Sequence, residues 1–284
     1  MPKRASNHAS PEIAVARVTR YESGRPKPER DDALAVEEPL EIRVRGRSIA
    51  VTMRTPGHDA ELAAGFLLTE GLVRQRSDIL EIAHCKRGEA TENTLNVFLA
   101  PSVKVNFAQL TRHVFASSSC GLCGKASIES VQQQFAPIGS TLRITAQALG
   151  QIAPRLRRRQ ATFEQTGGLH AAALFTARGQ LVVLREDIGR HNAVDKVVGH
   201  ALLHKLLPLE KHILLVSGRA SFEIMQKALA ARIPCVAAVS APSSLAVEFA
   251  RESNQTLVGF LRGNTMNVYS VPERIHSLKP TKHR

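Results

Sequence analysis

The sequence predicts an α/β protein with a smaller β-rich part at its N-terminal end, and three observations carry that expectation. From residue 163 onward, apolar strand-like runs alternate with helical ones. Two of the runs, Ile213-Leu214-Leu215-Val216 and Val236-Ala237-Ala238-Val239, are continuously apolar, as suits strands covered on both faces. Polar, glycine-containing turns recur where strands hand over to helices, the pattern of a mixed sheet between helical layers.

Residues 1–33 are basic, polar and proline-containing and are expected to form a flexible arm. Beyond Pro39 the pattern turns to strands. Leu40, Ile42 and Val44 alternate with charges, Gly46 breaks the run, and Ile49, Val51 and Met53 resume it, which predicts a hairpin. Asp59 is placed to cap a helix in which Leu62, Ala63, Phe66 and Leu67 fall at helical spacing, ending before Gly71. Strands follow at 79–85 and 94–99, then helices at 107–116, 126–135 and 145–159. Further strands are expected at 169–175, 181–184, 212–216, 235–239, 256–261 and 267–270, with helices at 192–205, 220–231 and 244–253. The units are therefore an arm (1–33), an N-terminal α+β part (34–106), a helical segment carrying a cysteine loop (107–160), a C-terminal α/β domain (161–275) and a basic tail (276–284).

The chain has 284 residues, enough for a sizeable core, and a formal net charge of +13. A basic surface suits nucleic acid, a polyanionic ligand or an acidic protein partner equally. Aromatic residues make up only 4% and tryptophan is absent, so stacking platforms for single strands are scarce and nucleic-acid binding is not expected. The block Arg155, Arg157, Arg158 and Arg159 reads as a solvated helix face, a docking surface being the alternative. No apolar run approaches the roughly 18 residues that span a bilayer. The first twenty residues lack the apolar centre of a secretory signal, so a reducing cytoplasm is the expected setting. There, four cysteines are better read as free, catalytic or metal-binding than as structural disulfides.

Two of the four lie in Ser117-Ser118-Ser119-Cys120-Gly121-Leu122-Cys123-Gly124-Lys125, a composition that suits flexible polar backbone. The helix expected just beyond, with Lys125 alongside, would favour thiolate over thiol. A thiolate is a nucleophile and a soft-metal ligand, so the pair could attack sulfur, form a disulfide or hold zinc. Zinc is disfavoured, because neither a second CxxC nor a histidine pair follows at finger-like spacing. The deaminase pattern is missing as well, since Ala172 stands where its glutamate would follow His170. Cys85, beside His84, reads as a small buried residue at a strand end, and Cys235 as inert packing.

The remaining candidates sit in the turns. Gly167-Gly168 leads into His170; Glu186 to Asn192 opens one helix and Ser217-Gly218-Arg219-Ala220-Ser221 the next. Ser240 to Ser244 opens a third, and Phe260-Leu261-Arg262-Gly263-Asn264-Thr265 joins the last two strands. Turns at the carboxyl ends of parallel strands line one crevice, and helix-start N–H groups with Arg190 and Arg219 would seat phosphates. His191, with Arg190 and Asn192 at one helix start, is a stronger functional candidate than His170 alone. Glu223 and Lys227, four residues apart, read as an ordinary helix-surface pair.

Several stretches resemble the formate dehydrogenase accessory sulfurtransferases, the FdhD family. They are Ala64-Gly65-Phe66-Leu67-Leu68-Thr69-Glu70-Gly71, Cys120-Gly121-Leu122-Cys123-Gly124, Gly168-Leu169-His170-Ala171-Ala172, Glu186 to Lys196, and Ser217 to Ser221. The resemblance implies a cytoplasmic homodimer whose α/β domain is cytidine-deaminase-like but lacks the deaminase zinc. It implies sulfur transfer from a cysteine desulfurase to the bis(molybdopterin guanine dinucleotide) form of the molybdenum cofactor, before that cofactor enters formate dehydrogenase. Cys120 would then be the persulfide carrier, with Cys123 assisting or resolving. The segment Phe260 to Thr265 would contact the cofactor, as would His170, Arg190, His191, Ser217, Arg219 and Ser221, and guanosine diphosphate would mimic part of it. This chain ends the segment in Thr265 where some relatives have a basic residue, and Arg262 is the nearby substitute. A rival from another class is a chaperone that binds the cofactor without moving sulfur. A zinc-stabilised nucleic-acid protein is a second.

Overall fold

The computed structural model describes residues 11–85, 91–107 and 134–277. Cys120, Cys123 and most of the helices expected at 107–116 and 126–135 lie outside the described residues.

The chain opens with β1 (Ile13–Val18), the two-residue strands β2 (Tyr21–Glu22) and β3 (Arg25–Pro26), and β4 (Arg30–Ala35). β1 pairs antiparallel with β4, and β2 with β3 around Ser23 and Gly24, both of which have positive φ. The expectation of a flexible arm is therefore corrected over these residues. Its composition concealed a short apolar run, Ile13-Ala14-Val15-Ala16, that pairs with Asp32 to Ala35. The ribbon is also anchored, because the Thr162 hydroxyl donates to Glu12 Oε2 over 2.7 Å.

Next come β5 (Glu38–Val44), β6 (Arg47–Arg54), α1 (Asp59–Thr69), β7 (Ile79–His84) and β8 (Thr94–Leu99). The predicted hairpin is β5–β6, and the four strands form one sheet in the order β6-β5-β8-β7. Leu40, Ile42 and Val44 point inward at alternate positions, as a half-buried strand requires. His58, in the left-handed region, is the residue at the cap position of α1, and Asp59, the predicted cap, is instead its first helical residue.

The second half contains β9 (Ile144–Thr145), α2 (Ala146–Arg157), α3 (Ala161–Thr166), β10 (His170–Thr176), β11 (Leu181–Asp187), α4 (Arg190–Leu203) and β12 (His212–Val216). It continues with α5 (Phe222–Ala230), β13 (Cys235–Ala238), α6 (Ser244–Glu252), β14 (Thr256–Arg262), β15 (Thr265–Ser270) and β16 (Ile275–His276). Six strands form a mixed sheet in the order β11-β10-β12-β13-β14-β15, with β12, β13 and β14 parallel. The two apolar runs singled out in the sequence are its central strands, and every residue of β13 is buried. β16 pairs with β9 and brings the end of the described chain beside the start of α2.

Two cores flank this sheet. On one side Leu149, Ile152 and Leu156 of α2 pack with Ala171, Ala173, Phe175 and Leu215. On the other, α4, α5 and α6 bury Val194, Val197, Met225 and Phe249 in a cluster that runs on into Leu62 and Leu67 of α1 and Leu40 and Leu95 of the first sheet. The N-terminal part and the α/β part thus share one continuous core. Their closest approach is α1 against α4 at Gly65 and Gly199, where each glycine faces backbone atoms of the other helix. Among the described residues no helix is long and apolar enough to cross a membrane.

Candidate functional site

Strand directions bring the carboxyl ends of β11, β12, β13 and β14 and the amino end of β10 to one edge of the sheet. His170 therefore lies opposite Asp187 in the register. Ser217 locks to Ala171 twice: the Ala171 N–H donates to Ser217 Oγ and the Ser217 N–H to the Ala171 carbonyl, each over 2.9 Å. A Cβ on Gly218 would stand 3.4 Å from His170 Nδ1, so the imidazole lies against the 217–221 loop. His191, in the first turn of α4, reaches Ser221 Oγ at 3.4 Å and Glu223 Oε2 at 3.9 Å.

His170, Arg190, His191, Ser217 and Ser221 thus form one cluster, with Arg219 exposed in the loop beside them. The next loop is stitched to it. The Ala220 N–H donates to the Ala241 carbonyl, the Ser243 N–H to the Ala220 carbonyl, and the Phe260 N–H to the Ser240 carbonyl. The predicted segment 260–265 is divided by this arrangement. Phe260, with positive φ, adjoins the Ser240 loop, whereas Leu261 is buried in the α2 core. Gly263 and Asn264 sit over Gly150 of α2, while Arg262 and Thr265 face each other, exposed, across the hairpin. Among the described residues no hydrogen bond or ion pair is seen between 262–265 and the His170 cluster.

Buried ion pairs set the cluster in place, and pattern reading missed them. Lys196, almost fully buried in α4, lies 2.7 Å from Asp187 Oδ2 and donates to the Thr55 carbonyl over 2.9 Å. Asp187 Oδ1 also accepts from the Gly189 N–H and from Asn192 Nδ2. Asn192, expected at the site, instead holds this turn and donates to the Met53 carbonyl. A second pair corrects another expectation. Lys227 does not pair with Glu223; its ammonium is buried and bonds Asp195 at 2.8 Å and the Thr69 hydroxyl at 3.0 Å. The sequence held a signal for both, since Asp195 and Lys196 interrupt the apolar run Ala193 to Val198 in mid-helix. Cys85 is only half-buried, just past β7, rather than fully inside, and Cys235 is fully buried with its thiol pushed up to about 12 by that burial.

Electrostatically the edge favours oxyanions. Burial, aided by Arg190 and Lys227, pushes His191 from its ordinary 6.5 down to about 4, so its imidazole is neutral at physiological pH. His170 is lowered for the same reason, burial first and then Arg190. Burial works to raise Glu223, yet hydrogen bonds from Ser221 and its own N–H, with His191 and Arg190 nearby, bring it below the usual carboxylate range. For Lys227, burial works against the charge, but Asp195 and Glu70 outweigh it and raise the ammonium above the usual lysine value. Arg190 Nε is buried with no hydrogen-bond partner among the described residues, an orphan donor beside the start of α4. An orphan guanidinium nitrogen, neutral imidazoles, hydroxyls and two helix N-termini together suit a phosphate-like ligand.

A pH dependence follows. Folded His191 binds its proton more weakly than an unfolded histidine, so stability should fall as pH drops from 6.5 toward about 4. His170, His58 and His212 are lowered too and act in the same direction. Thermal unfolding across that window should show a flatter decline in His191→Gln than in the parent; equal slopes would contradict the assignment.

One group among the described residues has metal-like spacing: Glu61, His200 and His204. Its centre is claimed by Arg185, which bonds both Glu61 oxygens at 2.5 and 2.8 Å and approaches His200 Nδ1 at 3.2 Å. A guanidinium there repels a cation.

Fold and site together define an α/β protein with a cation-rich, phosphate-suited edge on its mixed sheet. The FdhD/NarQ family model matches residues 35–276, and the chain belongs to that family, as its motifs anticipated. Sulfur carrier protein FdhD of Mycobacterium tuberculosis is 55% identical over 255 residues, covering 87% of this chain and 92% of that protein. The protein of the same name from Streptomyces coelicolor is 54% identical over 253 residues, covering 87% and 90%. A crystal structure from Desulfotalea psychrophila, assigned as a formate dehydrogenase accessory protein, superposes with a TM-score of 0.75 at 27% identity, covering 94% of this chain and 100% of that one.

Proposed function

We propose that this chain is a sulfur carrier serving formate dehydrogenase, with Cys120 as the carrying residue. The observation that supports this reading best is the match over residues 35–276, which includes Cys120 and Cys123, to a family whose relatives are named sulfur carrier proteins. The Cys120 thiolate attacks the terminal sulfur of a cysteine desulfurase persulfide. The donor's S–S bond breaks, the donor cysteine leaves as thiolate, and Cys120 holds the transferred sulfur as a persulfide. Cys123 assists or resolves. The receiving substrate is the molybdenum cofactor in its bis(molybdopterin guanine dinucleotide) form. Arg190, Arg219, His170, His191, Ser217 and Ser221 hold its phosphates, with the 260–265 segment alongside and Arg262 in place of a basic residue at Thr265. In this reading the protein is a cytoplasmic homodimer with a cytidine-deaminase-like C-terminal domain.

Incubation with a cysteine desulfurase and cysteine should add about 32 mass units (one sulfur) to Cys120, and to nothing in Cys120→Ser. Guanosine diphosphate should bind both proteins, and Arg190→Ala should weaken it. Binding without any mass gain would favour the cofactor chaperone and overturn the carrier role.

A further inference from the structure

β11 is an outer strand of the six-stranded sheet and pairs only with β10 among the described residues. Ala171 turns its N–H and C=O toward Ser217, so alternate β10 residues His170, Ala172 and Leu174 face β11. Their partners Asp187, Arg185 and Val183 face inward, and Leu184 between them presents its backbone to the open side. Its carbonyl takes a hydrogen bond from Arg185 Nη1. A groove of about 660 Å³ runs along this edge, with Arg155, Arg158 and Arg159 from the end of α2 on one flank and Arg185 on the other. Among the described residues no carboxylate is part of its lining, although Glu61 bonds Arg185 and His200 from behind. The side chains of Arg158 and Arg159 are exposed and make no ion pair or hydrogen bond among the described residues.

The geometry points to a docking site for an acidic, extended peptide segment of a partner protein, which adds to the sheet outside β11. An open strand edge offers backbone hydrogen bonds, and Arg158 and Arg159 on one flank select carboxylate side chains at alternate positions, whereas Arg185 on the other is already held by Glu61. A second copy of this chain paired edge to edge would set these arginines against their own counterparts, which is repulsive. β11 ends at Asp187, opposite His170, so a docked segment leads toward the phosphate-suited edge. This inference does not depend on the sulfur-carrier reading.

The probe is a capped, fluorescent decapeptide alternating glutamate and valine, titrated into the full chain and followed by anisotropy. Saturable binding is expected, weakened at least about tenfold in Arg158→Glu/Arg159→Glu. A similar loss is expected when alternate peptide amides are N-methylated, since that removes the ladder but not the charge. Both altered side chains are exposed, so the unfolding midpoint and guanosine diphosphate binding should stay as in the parent. Absence of binding, equal binding of the N-methylated peptide, or tighter arginine-dependent binding of a duplex DNA oligonucleotide would each overturn the proposal.

Discussion

Gly199→Ala is expected to lower the unfolding free energy by about 3 kcal/mol or more, the upper end of what overpacking costs. A Cβ at Gly199 would lie 2.7 Å from the Gly65 nitrogen and closer still to the Glu61 carbonyl oxygen. Both obstacles are backbone, so no rotamer change relieves them and α4 must move off α1. Val194, Val197 and Val198 would move with it, along with the first turn that carries Arg190 and His191. Urea unfolding should therefore show an earlier midpoint, and guanosine diphosphate affinity should fall in the same variant. Gly139→Ala is the control, because nothing lies within 4 Å of the new methyl group; it should change stability by less than about 0.5 kcal/mol. Equal midpoints for the two variants would refute the close-approach argument.

Lys196→Met should cost about 3–5 kcal/mol, because it leaves the fully buried Asp187 carboxylate without its cation. The loss should also appear at the site. Asp187 holds the Gly189 N–H and Asn192, and so sets the angle at which α4 leaves β11. Pairing the change with Asp187→Asn should recover part of the stability, since a neutral amide tolerates burial better than an unpaired charge. The contrast is the exposed pair Arg17 and Glu29, where removal should cost about 0–1 kcal/mol. A Lys196→Met protein with an unchanged denaturation midpoint would show that Asp187 does not need its partner.

The sheet was legible because its physics is local. Continuous apolar runs marked β12 and β13, and alternation marked β5 and β6, within a residue or two of their ends. The turns were legible for the same reason, since helix starts after strands draw on a small set of residues. The ion pairs were not. Lys227 sits one turn from Glu223 in sequence but bonds Asp195, on another helix, and only the packing of α4 on α5 makes that choice. The N-terminal ribbon is hidden in the sequence because proline and charge dominate its composition, while the pairing of β1 with β4 is set across a turn. The 260–265 segment reads as one stretch in sequence, and the positive φ at Phe260 together with the burial of Leu261 places its two ends against different neighbours.

Thr69 and Asp195, which share the Lys227 ammonium, are 126 residues apart. During synthesis α1 is thus complete for roughly ten seconds before the helix that covers it leaves the ribosome. Throughout that interval Leu62, Ala63 and Leu67 have no α4 to shield them. Yield of soluble protein should accordingly respond to translation speed and to holdase supply, more than final stability alone would suggest.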